Sequence, residues 1–382
     1  MNHDTIIATA QAEPDGGTSS ALPELPLPEP MPDAEAYRRE REIRLELYAD
    51  CRANYDTYLA SKRRSAVVDY LPIKLDIENV SRCNFRCRMC QVSEWPKGRR
   101  ADDMSFDDFR RLVDEQVGLV EIKLQGMGEP LMAGDALFDM IAYARARHIW
   151  VRSVTNASLL HLKDNYRKFI DSGVNELQVS IDGADKETFE SIRGGSVFEK
   201  VSENCRLLND YAASVGINRT KMWTVVQRRN VHQMSELVDF AAEHGFKSQV
   251  FSMDLTDWGQ EQWRSKNDAT NQVATIDRAT GWALVEKGRA RGVKVAFWNI
   301  SEKYDTRSPE KLCPWPFERA YISSDQRVVP CCMIANPDVL EIGAARDGFT
   351  AVWSGESYAS FRRAHLDGNI PPACANCYRS GG

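Results

Sequence analysis

From residue 71 onward, apolar and polar positions alternate between two periods. Short apolar runs at residues 73–80, 120–125, 150–155, 176–181, 221–226 and 248–253 read as strands. Between them, residues 106–117, 136–147, 163–172, 197–213 and 233–244 repeat apolar positions three and four apart, the helical spacing. Local signals agree with this division. Ser105 stands before Asp107 and Asp108 as an N-cap, and Gly245 follows His244 as a stop. Six strands alternating with helices predict an α/β fold with a parallel sheet and right-handed crossovers. The runs look nearly continuous in apolar residues, as expected where both faces of a sheet are covered. An open doubly wound sheet and a barrel share this pattern. A helix at 276–291 and a short strand at 293–298 follow, and polar, turn-like residues 301–309 lead out.

The flanks differ. Residues 1–32 are rich in Pro, Glu, Gly and Ser without apolar periodicity, and are expected to be a disordered tail. Residues 33–70 open with a strongly charged helical pattern in which Leu45, Leu47, Tyr48, Tyr55 and Leu59 form one stripe, the mark of a surface helix packed on the core. Residues 71–300 hold the strand–helix alternation. Residues 310–382 form a second unit, with a hairpin at 321–324 and 327–330 around Ser324-Asp325-Gln326.

Composition narrows the function classes. The chain has 382 residues, 43% hydrophobic and 27% charged, with a net charge of −6. That balance gives a nucleic-acid partner no bulk electrostatic support. No apolar run reaches the ~18–20 residues of a membrane span, and the first residues lack the apolar block of a secretory signal, so a cytoplasmic location is expected. The chain carries 10 cysteines. Cys51 and Cys205 lie in helical-looking segments and read as small buried side chains. The others fall into two groups, and in a reducing compartment clustered cysteines are metal ligands more readily than disulfides.

The first group is Cys83-Asn84-Phe85-Arg86-Cys87-Arg88-Met89-Cys90, just past the first strand. Three thiolates from one short loop can hold three irons of a four-iron cluster and leave the fourth open for chemistry. This C-x3-C-x2-C loop resembles the signature of the radical SAM superfamily, over roughly residues 70–260. The resemblance selects a partial (β/α)6 barrel, with function at the C-terminal ends of its strands. It implies a [4Fe-4S] cluster on Cys83, Cys87 and Cys90 that binds S-adenosyl-L-methionine (SAM). Phe85 and Met89 would shield the cluster, although the family usually carries an aromatic where Met89 stands. Gly126-Met127-Gly128-Glu129-Pro130, after the second strand, resembles the family's GGEP motif. Its glycines let backbone approach a ligand, and Glu129 supplies a carboxylate toward the methionyl amine. Asn156, Ser180 and Asp182, at the third and fourth strand ends, are the expected methionine and ribose contacts, with helix capping as the plain alternative. Arg193 is the expected partner of the SAM carboxylate. The basic loop Lys97-Gly98-Arg99-Arg100 either docks an acidic flavodoxin- or ferredoxin-type electron donor or is simply solvated.

The second group is Cys313, Cys331, Cys332, Cys374 and Cys377. Its pattern resembles the twitch subtype of the SPASM domain, a small C-terminal α+β module. The resemblance implies one auxiliary [4Fe-4S] cluster on Cys313, Cys331, Cys374 and Cys377. The spacing is similar to that of the butirosin-type aminocyclitol dehydrogenases. A structural zinc site on four cysteines is the alternative. Cys332 is the spare thiol: it could exchange roles with Cys331, be structural, or be a catalytic hydrogen-atom donor.

The resemblance thus implies an enzyme that cleaves SAM to a 5′-deoxyadenosyl radical. With a fully ligated cluster nearby, the leading expectation is oxidation of a hydroxyl-bearing small molecule such as a sugar or aminocyclitol. The alternatives are a sugar or peptide epimerase using Cys332, a maturase forming thioether or carbon–carbon crosslinks in ribosomal peptides, and a zinc-stabilised binding module without catalysis. The uniformly helical residues 33–62 do not resemble the winged-helix recognition domain of many peptide maturases.

Overall fold

The computed structural model describes residues 22–61, 64–96, 98–99, 102–270, 276–299 and 302–379. Its strands are β1 (Lys74–Ile77), β2 (Arg86–Cys87), β3 (Glu121–Leu124), β4 (Trp150–Thr155), β5 (Glu176–Ser180), β6 (Arg193–Gly194), β7 (Thr220–Val225), β8 (Ser248–Ser252), β9 (Lys294–Trp298), β10 (Arg319–Ile322), β11 (Arg327–Val329) and β12 (Gly343–Ala344). The helices include α1 (Ala34–Leu47), α2 (Ala49–Ala60), α3 (Phe106–Glu115), α4 (Asp135–Arg145), α5 (Asn165–Asp171), α6 (Lys186–Ile192), α7 (Phe198–Ser214), α8 (Met234–Glu243), α9 (Glu261–Thr270), α10 (Arg278–Ala290), α11 (Trp315–Glu318), α12 (Phe349–Ser354) and α13 (Glu356–Leu366). The main sheet runs in the order β12-β11-β10-β1-β3-β4-β5-β7-β8-β9. The six expected barrel strands stand together as β1-β3-β4-β5-β7-β8, all parallel. Strand β9 extends them at one edge.

The second unit joins the sheet at the other edge. Strand β10 pairs parallel to β1, placing Asp76 beside Tyr321, and only β11 and β12 turn antiparallel. The C-terminal module therefore continues the barrel wall. Other ties reinforce the join. The Glu115 carboxylate at the end of α3 accepts from the Phe349 and Thr350 backbone N–H groups of α12, at 3.1 and 2.7 Å. The Trp353 indole donates to the Tyr70 carbonyl at 2.7 Å.

Strand composition departs from the expected continuous apolar runs. Leu75, Ile77, Ile122, Leu124, Leu177, Val179 and Met222 face the helices and join the main core. The alternate positions carry charge: Lys74, Asp76, Glu121, Lys123, Arg152, Glu176 and Lys221. On this inner face all of these charges but Lys123 are matched. Arg152 pairs with Glu176 at 2.8 Å and Glu121 at 3.3 Å, Lys221 with Glu176 at 3.1 Å, and Arg319 with Asp76 at 3.4 Å. Burying ionised groups is tolerable only with such pairing.

Helix starts follow the sequence signals. The Ser105 hydroxyl accepts from Asp108 N, and Asp107 and Asp108 occupy the first turn of α3. The expected single helix after residue 33 is two, because Tyr48 adopts an extended conformation between α1 and α2.

The expected disordered tail is corrected in part. Residues 1–21 lie outside the described residues, but residues 22–32 form an ordered strap. Pro26 O accepts from Phe297 N at 2.8 Å, Glu29 O from Lys221 Nζ at 2.6 Å, and Met31 N donates to Glu176 at 3.1 Å. Unpaired backbone groups of an extended segment find partners on β9 and on the buried charges, which low-complexity composition does not reveal. Among the described residues no helix is long and apolar enough to cross a membrane.

Candidate functional site

The first cysteine loop leaves the end of β1 and is held on three sides. Cys87 on β2 pairs with Arg193 on β6 in a two-stranded ladder, and Arg88 N donates to Ile192 O at 3.0 Å. The Asn84 amide donates to Ser158 at 2.8 Å and accepts from Asn156 at 3.0 Å, tying the loop to the end of β4. Phe85 is 3% exposed and packs into the main core, while Met89 packs on Ile192 and Leu255 beside Cys87.

The three thiols lie within electrostatic reach of one another. Burial raises the pKa of Cys83 to about 12, helped by the Glu129 carboxyl and by Cys87. Burial also pushes Cys90 up, with contributions from Cys87 and Cys83. Burial therefore favours the neutral thiols, and a soft cation that binds thiolates would offset the cost of ionising them. The thiols do not close on a point. Among the described residues, no group of three or more His, Cys, Asp or Glu side chains could hold a single metal ion.

The Gly126–Pro130 turn packs directly on this loop. A methyl group on Gly126 would overlap the Glu78 side chain, and one on Gly128 would overlap the Val80 and Arg82 carbonyl oxygens. Both glycines thus serve the approach of loop to loop. Glu129 is buried and takes three donors: Thr155 Oγ1 at 2.7 Å, Asn156 N at 2.7 Å and Leu131 N at 3.4 Å. Burial raises its pKa to about 7 against the pull of those donors. Its carboxylate clamps the turn after β3 to the end of β4.

Asp182 and Arg193 were expected to meet different parts of SAM, and they meet each other. Arg193 Nη2 lies 2.7 Å from Asp182 Oδ2, and Asp182 Oδ1 accepts from Val225 N at 2.8 Å. The buried Arg193 Nε has no hydrogen-bond partner among the described residues. Ser180 ends β5 half-buried. Three thiols, an orphaned guanidinium donor and an apolar cover of Phe85 and Met89 fit a cluster that binds an amino acid's polar groups. In the basic loop, Lys97 and Arg100 lie outside the described residues. Arg99 is tied to Asp338 of the second module at 2.6 Å.

The second centre is a cavity lined by Cys313, Cys331, Cys374 and Cys377 together with Thr256 and Asp257. Burial pushes the Cys331 thiol well up, with the other cysteines of the group adding to it. Burial raises Cys313 to about 11 and Cys377 to about 12. Cys332 does not line the cavity. Its thiol hydrogen-bonds Asp76 and lies within reach of Lys123 and Arg319, on the inner face of the barrel. The four cavity thiols fit a fully capped cluster. The inner-face charges, the β2–β6 ladder and the Asn84–Asn156–Ser158 chain escaped the sequence reading. The polar residues at every second strand position were the visible signal for the first of these.

Comparison with known proteins agrees with this geometry. Residues 79–241 match the Radical SAM superfamily and residues 313–378 match SPASM, an iron–sulfur cluster-binding domain. The chain is similar to the mycofactocin maturase MftC of Mycolicibacterium smegmatis, 27% identical over 234 residues, covering 60% of this chain and 56% of that protein. It thus spans little more than half of that relative. It is also similar to the PqqA peptide cyclase of Granulibacter bethesdensis, 22% identical over 313 residues, covering 81% of this chain and 80% of that protein. In fold it resembles SuiB of Streptococcus suis, solved bound to its precursor peptide SuiA, with TM-score 0.60, 17% identity, and coverage of 81% of this chain and 71% of that one. The two domain matches, the three-cysteine loop at the mouth of a partial barrel and the four-cysteine cavity beside it make this chain a member of the radical SAM superfamily with a C-terminal SPASM domain.

Proposed function

We infer that the protein is a SAM-dependent peptide maturase that oxidises a residue of a ribosomally made peptide. The observation that carries this reading is the alignment with the PqqA peptide cyclase across four-fifths of both chains. The mycofactocin maturase supports the same substrate class. These relatives favour a peptide over the hydroxyl-bearing small molecule that the cysteine spacing suggested.

Cys83, Cys87 and Cys90 would hold the first cluster, and Cys313, Cys331, Cys374 and Cys377 the auxiliary one. Bound there, the clusters and SAM would supply a 5′-deoxyadenosyl radical and a one-electron acceptor, so that a substrate loses two hydrogens overall. The chain's own residues do the positioning. The Arg193 Nε–H is available to a carboxylate oxygen, and Asp182 fixes the guanidinium plane. Glu129 locks the loop that faces the cysteines by accepting from Thr155 and Asn156. Phe85 and Met89 exclude water from the thiols.

The test is an anaerobic reaction with SAM, dithionite and synthetic peptides, beginning with the PqqA peptide that the aligned cyclase is named for and any short reading frame found beside the gene. The expected result is 5′-deoxyadenosine together with a peptide product two hydrogens lighter. Unchanged peptide, alongside oxidation of an aminocyclitol or sugar, would overturn the reading.

A further inference from the structure

The inner face of the barrel carries one cation more than its ion pairs use. Lys74 lies 3.9 Å from Glu121 and 4.0 Å from Glu318. Arg152 is shared by Glu121 and Glu176, Lys221 pairs with Glu176, and Arg319 pairs with Asp76 and, at 3.8 Å, with Glu121. Lys123 sits in the same layer. Its cross-strand neighbours are Asp76 on β1 and Arg152 on β4. Ile122 and Leu124 belong to the helix-side core, so strand alternation turns Lys123 to the inner face. Among the described residues it has no ion pair and no hydrogen bond.

The nearest carboxylate in register is already engaged. Asp76 holds Arg319, accepts from the Gln125 amide at 3.3 Å and accepts from the Cys332 thiol. An ammonium left half-buried without a partner is an uncompensated cost in a folded protein. The position is also informative. Lys123 lies three residues before Gly126 of the first site and within electrostatic reach of Cys332, the neighbour of Cys331 in the second. A group bound to it is held between the two cysteine centres.

We propose that Lys123 is a substrate-binding residue that takes a carboxylate of the peptide, an Asp or Glu side chain or the C-terminus, and so places the reacting residue between the two centres. This rests on the peptide-maturase reading. A single ammonium, a compact point charge with rotatable donors, matches one carboxylate. A phosphate would bring a second negative charge beside Asp76 and Glu121, which a single added ammonium does not balance.

The probe is a fluorescently labelled synthetic peptide that the protein oxidises in the preceding assay, with its affinity measured on the reconstituted protein by anisotropy. Each Asp and Glu is exchanged in turn for Asn or Gln, and the C-terminus is amidated. One of these changes should weaken binding to the unaltered protein roughly 10- to 100-fold. The same change should have little effect on Lys123→Met, which binds the unmodified peptide as weakly as the unaltered protein binds the amide form. Lys123→Arg should recover part of the affinity. Tight binding that no carboxylate exchange weakens overturns the Lys123 assignment and leaves the maturase reading standing. An exchange that weakens binding equally in Lys123→Met overturns it in the same way. A peptide that does not bind at all overturns both. Because the carboxylate scan uses the unaltered protein, a folding defect in a variant cannot mimic the result.

Discussion

At the scale of single residues, the two cysteine groups were legible because their chemistry depends on residue type and spacing alone. What the sequence could not settle was orientation. Cys331 and Cys332 are adjacent, yet one lines the four-thiol cavity and the other turns to Asp76. Cys331→Ser is therefore expected to lose the auxiliary iron, and Cys332→Ser to keep it, as counted by iron content and visible absorbance after reconstitution. Glu129 gives the second residue-scale expectation. Removing its side chain strands a buried N–H on Asn156 and a buried hydroxyl on Thr155. Glu129→Ala should cost about 2–4 kcal/mol in urea unfolding. The Gly126–Pro130 motif was recognisable, but the use of Glu129 as a clamp was not, since a carboxylate that binds a ligand and one that binds backbone look alike in sequence.

At the scale of elements, strands and helices came through well wherever the period was clear. The predicted strand at residues 150–155 and β4 coincide, and the helix ends shift by one or two residues. Elements of two residues did not come through, because a ladder such as β2–β6 is set by contact between distant loops. The same holds for the glycines of the Gly126–Pro130 turn. Gly128 is needed because two carbonyl oxygens of the cysteine loop occupy the space a side chain would fill. Backbone cannot yield as a flexible side chain can. Gly128→Ala should push the loops apart, weakening SAM binding at least about tenfold by equilibrium dialysis. Gly134 has nothing within reach of an added methyl but has φ +65°, so its alanine variant should lose only modest stability from backbone strain.

At the scale of the whole molecule, the buried charges of the inner face tie stability to pH. Burial alone would raise the Glu176 carboxyl, but Arg152 and Lys221 more than reverse this and hold it at about 2, below its usual 4.5. A depressed carboxyl contributes stability above its unfolded pKa and loses it as pH falls toward the folded value. The urea midpoint should therefore fall between pH 4.5 and 3. Glu176→Gln should be less stable at pH 7, because Lys221 loses its carboxylate and Arg152 keeps only Glu121, and should show a shallower fall with acid. Loss of the usual acid slope without loss of neutral stability would contradict this pairing.

The parallel join of β10 to β1 has a consequence in time. The two strands are 243 residues apart at the Asp76–Arg319 contact. While the chain is being made, β1 waits with a bare edge until more than two hundred further residues have followed and β10 arrives. Such an edge invites pairing with other chains, and closing so long a loop is slow. The first cysteine loop hangs from the C-terminal end of that waiting strand. Assembly of the iron-binding mouth is thus coupled to arrival of the last module, so a nascent chain has little chance of presenting a finished radical-generating site before the wall around it is complete.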